Sequence, residues 1–134
     1  MRFADVEFGA EMPAFTPDVS AETVKRFVTA AGMNFPRFWD DEAARKEGLP
    51  GAIVPGIMSQ GILAALVHRW APDAKILHLD TTFRAPVLVG SKPSCKGVVT
   101  NLDPATRVIE IDLTLANEAG ETRVVSTARV ELPG

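Results

Sequence analysis

The chain has 134 residues, 46% of them apolar and 23% charged, and its 14 basic and 17 acidic side chains leave a net charge of −3. That length suits one compact domain and leaves no room for a second, while the apolar content and interspersed charges exclude disordered, collagenous and coiled-coil chains. The weak, evenly spread charge gives no phosphate-neutralising surface, so nucleic acid is not expected as a partner.

No apolar run approaches the roughly eighteen residues a bilayer span needs. The N-terminus places Asp5 and Glu7 where a signal peptide would be apolar, which points to a cytoplasmic protein without a membrane partner. Cys95 is alone, which rules out an internal disulfide and reads as a buried or half-buried small hydrophobe rather than a nucleophile. With His68 and His78 the only histidines, no metal site is expected, and no cofactor motif is present.

In chain order, Val19 to Ala31 carries Ser20 as an N-cap, Glu22 in the first turn and Val24, Phe27, Val28 and Ala31 at helical spacing, predicting an amphipathic helix that ends near Gly32. After Phe35, Pro36, Phe38 and Trp39, the stretch from Asp40 to Gly48 reads as a short helix with an acidic start, a basic end and a terminating glycine; Asp40 caps it. Pro50 and Gly51 mark a loop. From Pro55 to about Trp70 apolar residues occupy nearly every face, with proline suited to the first helical position. Such a helix has to be wrapped by the protein or by its dimer.

Beyond Pro72 the period changes to two. Leu77, Leu79, Thr81 and Phe83 alternate with His78, Asp80 and Thr82; a strand follows from about Pro93 to Val99, with a turn at Asn101 to Pro104. Ile109, Ile111, Leu113 and Leu115 then alternate with polar neighbours, Asn117 to Gly120 turns the chain, and Val124, Ala128, Val130 and Leu132 share one face of a last strand. Three or four consecutive antiparallel strands beside one apolar helix predict an α+β fold, a curved sheet rolled around that helix.

Four stretches, Phe3 to Gly9, Asp40 to Gly48, Val54 to Met58 and Phe83 to Gly90, carry a resemblance in this order and spacing. The chain resembles the MaoC-like (R)-specific enoyl-CoA hydratases and dehydratases of the hotdog fold along almost its whole length. The resemblance implies a single domain over residues 1–134, with six or so strands around the helix and an unpaired edge that favours a dimer. The family adds water to, or removes it from, an acyl thioester with one Asp and one His, because one water must lose a proton while the α-carbon gains one. Its usual pattern, Gly-Asp-x-Asn-Pro-x-His-x-Asp, falls on Gly32 to Asp40, so the Asp position holds Met33, the Asn position Phe35 and the His position Phe38. A register shift offers only Asn34 and Arg37, neither a base at neutral pH. No catalytic residue is therefore assigned, and Phe35 and Phe38 are expected to line a dry, acyl-shaped pocket.

Binding is what remains. Pro55 and Gly56 open the central helix, where free amides and the dipole favour an oxyanion. By resemblance the Gly56 amide holds the thioester carbonyl; close packing against the sheet is the other reason for a glycine there. Arg84, then Arg37 or Lys92, is a candidate for the coenzyme A phosphates or a plain surface cation. Ser59 and Gln60 are the polar side chains early in the helix, and Gln60 either orients a water, as in a thioesterase, or is satisfied locally or faces a subunit contact. His78 and Asp80 share a strand face, as a structural contact, two solvated groups or an unusual catalytic pair. His68 sits at the negative end of the helix dipole.

The resulting expectation is a subunit that binds acyl-CoA or acyl carrier protein thioesters, as a homodimer or a heterodimer with a catalytic hotdog chain. The alternative is an active hydratase, dehydratase or thioesterase on acyl-CoA using non-standard residues.

Overall fold

The computed structural model describes residues 1–134. Helix α1 (Ala21–Ala30) begins at Ser20, whose Oγ accepts from the Thr23 amide at 3.3 Å, and ends before Gly32, whose φ of +68° is the left-handed conformation glycine adopts freely. A 3-10 turn at Pro36–Phe38 leads into α2 (Asp41–Lys46), and Asp40 caps it as read, its carboxylate accepting from the Glu42 and Ala43 amides at 3.0 and 3.4 Å. The central helix α3 (Gly56–Trp70) has Pro55 as its N-cap, one place earlier than expected.

Five antiparallel strands make one sheet: β1 (Glu11–Phe15), β2 (Lys75–Phe83), β3 (Ser94–Asp103), β4 (Val108–Ala116) and β5 (Thr122–Glu131), ordered β1-β3-β4-β5-β2. The count is five rather than six or so. The strand that escaped the sequence reading, β1, contains Pro13, has a register shift between Met12 and Phe15, and lies at an edge, where a missing N–H breaks no ladder. The other edge, β2, is nine residues long and free of proline.

Two details differ from strict alternation. A bulge between Ile76 and His78 turns Leu77 outward, so Ile76 rather than Leu77 joins Leu79 and Thr81 on the inner face. The turn expected at Asn101 to Pro104 begins later, because β3 continues through a register shift to Asp103 and residues 104–107 form the turn, with Arg107 at φ +58°.

Helix α3 touches all five strands. Leu63, Leu66 and Val67 are buried against a sheet face that presents Ile109, Ile111, Leu113 and Leu115, each fully enclosed. Burying such side chains stabilises the fold by about 1.5–3 kcal/mol apiece. Gly97 on β3 lets the layers close: a Cβ there would lie 2.7 Å from the Met12 sulfur and 2.9 Å from a Leu113 methyl. The wrapping of α3 is not complete within one chain. Ile57, Gly61, Ala65 and His68 are exposed, and Ile57 retains 57% of its surface. No helix is long and apolar enough to cross a membrane.

Candidate functional site

Two short loops build the floor of a cavity at the start of α3. The Val54 amide donates to the Val87 carbonyl at 2.8 Å and the Val89 amide to the Ala52 carbonyl at 3.0 Å, so residues 52–54 and 87–89 run as an antiparallel patch. Pro86 ends the β2 ladder, while the Arg84 and Ala85 amides both donate to the Arg123 carbonyl, at 2.8 and 3.2 Å. These bonds fix the Phe83-Arg84-Ala85-Pro86 stretch against the helix N-terminus.

The cavity has a volume of about 300 Å³; Gly56, Ser59, Phe83, Arg84, Val87 and Val124 are among its lining residues. The Gly56 and Ile57 amides have no acceptor in the chain, as first-turn amides lack one without a capping side chain. Arg84 is exposed at the rim without an ion-pair partner. The free Gly56 N–H, a dipole end and a cation therefore meet at one largely apolar hollow, a setting for a carbonyl or an anion. No carboxylate or imidazole is among its lining side chains. A larger depression of about 720 Å³, bordered by Glu11, Lys96, Asp112 and Thr114, involves β1, β3 and β4 and none of the free helix amides.

Gly56 combines a free donor with close packing. Its amide is free, and a Cβ would stand 3.1 Å from the Phe83 ring, so a larger residue would press that exposed ring aside by a few tenths of an ångström. Pro55 is buried and contributes its carbonyl, which accepts from the Met58 and Ser59 amides at 3.0 and 3.1 Å.

Gln60 lies outside the cavity lining. Its Nε2 donates to Thr81 Oγ1 at 2.9 Å; Thr81 Oγ1 lies 3.1 Å from Ser126 Oγ, which donates to the Asp80 carbonyl at 2.9 Å. Since the Ser126 proton is committed, Thr81 is the donor to Ser126, and the chain of bonds runs one way from helix to sheet. Gln60 is thus satisfied locally through this amide.

The aromatic residues of the central motif gather elsewhere. Phe38 is buried and Phe35 is 53% exposed, their rings meeting edge to face at 6.3 Å, with the Arg37 guanidinium 5.6 Å from the Phe35 centroid and 5.9 Å from that of Phe38. Met33 packs half-buried against the core. The segment is tied to the cavity wall by the Ile53 amide, which donates to the Arg37 carbonyl at 3.0 Å, and Phe38 joins the same buried cluster as Val54 and Val87. Within one chain, Phe35 and Phe38 are not among the residues lining the hollow beside Gly56.

Of the three cations considered, Arg37 is engaged by Glu47 through two bonds of 3.0 and 2.9 Å, and the Lys92 amide is tied to the Glu118 carboxylate at 2.9 Å, near the start of α1. Arg84 alone reaches the cavity. His78 and Asp80 are exposed and share the outward face of β2, opposite Arg129 and Thr127 of β5, with no hydrogen bond between them. The His68 Nε2 lies 3.2 Å from the Ala74 carbonyl, tying the last turn of α3 to the loop that follows. Cys95 is buried with its thiol donating to the Phe15 carbonyl at 3.4 Å, and burial pushes the thiol pKa up to about 11, which fits a packing residue.

Sequence reasoning assigned no role to Phe83, Val124 or Ser59 at this hollow. Phe83 and Val124 carry no local signal, since an alternating strand says which face they take and not what stands opposite. Ser59 did carry one, a hydroxyl three places after the helix-opening glycine.

The fold of this chain is shared with solved structures. An (R)-hydratase from A. caviae involved in PHA biosynthesis superposes with a TM-score of 0.88 at 22% identity, covering 96% of this chain and 98% of that one. A MaoC-like dehydratase gives 0.92 at 26% identity, covering 98% of this chain but 42% of that longer one. A chain of the ChsH1-ChsH2 complex from Mycobacterium tuberculosis gives 0.86 at 19% identity, with 95% and 98% covered. No curated protein matches the chain by sequence. The family model described as "MaoC like domain" matches residues 9–120, most of the sheet and all three helices, so the chain belongs to the MaoC-like dehydratase family.

Proposed function

We propose that this chain is an acyl-thioester-binding member of the hydratase and dehydratase class that lacks its own Asp/His pair and works as a binding subunit or beside a catalytic hotdog chain. The observation that carries this reading is the lining of the hollow at Gly56. It offers the free Gly56 amide, a hydroxyl and the Arg84 cation, but no side chain that exchanges protons near neutral pH. Hydration needs a base for the water and an acid for the α-carbon. The residues at the family's dyad positions, Met33 and Phe38, supply neither.

In this reading the thioester carbonyl points at the Gly56 amide and Arg84 meets a phosphate of the carrier, coenzyme A or acyl carrier protein. Phe35 and Phe38 remain acyl-contact candidates only where a second chain brings its own tunnel against them. The exposed Ile57 side of α3 and the free edge of β2 supply surface for such a chain. Support for two-chain assembly comes from the similar structure whose description names a ChsH1-ChsH2 complex.

The test is an assay of the purified chain with short, medium and long trans-2-enoyl-CoA, alongside calorimetry with the same ligands. Binding without hydration is expected. Robust hydration by the isolated chain would sink the loss of catalysis and favour the alternative of an active hydro-lyase; alanine at His78, Asp80 or Gln60 would then locate its base through a rate loss of at least about a hundredfold.

A further inference from the structure

Ser59 is 1% exposed, and its hydroxyl has no hydrogen-bond partner in the chain. A serine inside a helix ordinarily bonds back to the carbonyl four residues earlier. Here that carbonyl is Pro55's, and it already accepts from the Met58 and Ser59 amides at 3.0 and 3.1 Å. Every side-chain oxygen and nitrogen sealed from the surface has a partner, so the unbonded Ser59 hydroxyl is one that reaches open space, and the space it lines is the 300 Å³ cavity.

Helical side chains lean toward the N-terminus, so Ser59 covers the first turn of α3, where Gly56 shares the same wall and the Gly56 and Ile57 amides lack acceptors. Val54, Val87 and Val124 add apolar side chains to the wall, and Arg84 stands at the rim. A hydroxyl and an amide converging in such a place suit one oxygen atom bonded to an otherwise apolar group. A ligand without that oxygen would leave both unpaired.

We propose that Ser59 is a second carbonyl-holding group of this site, its hydroxyl donating to the thioester oxygen that the Gly56 amide also holds. The proposal rests on the acyl-thioester reading above, and the probes are chosen to separate the two. Butyryl-CoA and its S-butyl thioether differ only in the carbonyl.

By calorimetry, wild-type protein is expected to prefer the thioester. Ser59→Ala is expected to weaken butyryl-CoA binding by about threefold to tenfold while leaving the thioether unchanged, and Ser59→Thr to keep the preference. In isotope-edited infrared spectra of carbonyl-labelled butyryl-CoA, the band is expected at lower frequency on wild type than in water, and to move part of the way back in Ser59→Ala. Equal weakening of both ligands, or of neither, would overturn the role of Ser59 while leaving thioester binding intact. An unshifted band on wild type would do the same without any variant having to fold. If wild type binds neither ligand, the thioester reading fails and the proposal with it.

Discussion

At the scale of single residues, one overcommitted acceptor sets the chemistry of the helix start. The Pro55 carbonyl serves two amides, which leaves the Ser59 hydroxyl without its usual partner. The opposite situation holds at Asp18, where everything is satisfied. Its carboxylate accepts from Thr23 Oγ1 at 2.6 Å and from the Ser20 amide at 2.9 Å, and these bonds, the Thr23 hydroxyl first, lower its pKa from 3.8 to about 2. Because the folded carboxyl is held below its ordinary value, what it adds at the start of α1 is complete above pH 3.8 and is lost as the pH falls through about 2. A carbon NMR titration should place the Asp18 midpoint near 2, with the Ser20 amide exchanging faster across the same window; a midpoint at the ordinary value would show that the bonds do not persist in solution. The Ser20 cap was plain from sequence. The reinforcement by Asp18 was not, since it depends on how the chain bends into the helix.

At the scale of elements, legibility followed periodicity. The three helices and four of the strands declare themselves through caps, period 3.6 or period 2, whereas β1 is a five-residue edge strand interrupted by proline, whose pairing is dictated by β3 rather than by its own pattern. The bulge at Leu77 defeats strict alternation for a similar reason, because it belongs to the pairing of β2 with β5. The placement of Gly56 and Arg84 was legible because a helix start and a strand end can each be located from local sequence. The separation of Phe35 and Phe38 from Gly56 was not, being set by how the motif segment docks on the core. Gly97 gives the sheet-to-helix contact a direct test. Gly97→Ala forces Met12 and Leu113 aside in a packed interior and is expected to lower unfolding stability by about 1–3 kcal/mol in urea. The paired change Gly97→Ala with Leu113→Val should recover part of that loss; no loss in the single variant would mean that the core relaxes around the extra methyl.

At the scale of the molecule, the central helix is enclosed on its sheet side and open along Ile57, Gly61 and Ala65. A large exposed aliphatic residue beside small neighbours leaves room for another backbone to come close, so Ile57→Asp is expected to convert an associated species into a single chain in sedimentation velocity while circular dichroism stays unchanged. A wild type that already sediments as one chain at tens of micromolar would remove this stripe as a contact.

The two borders of the sheet are also unequal. Both borders carry a register shift, but only the β1 border carries a proline, Pro13. Lateral growth through backbone bonds is therefore less hindered at the β2 border. Two chains joined along β2 would turn their proline-bearing margins outward, which disfavours further lateral growth.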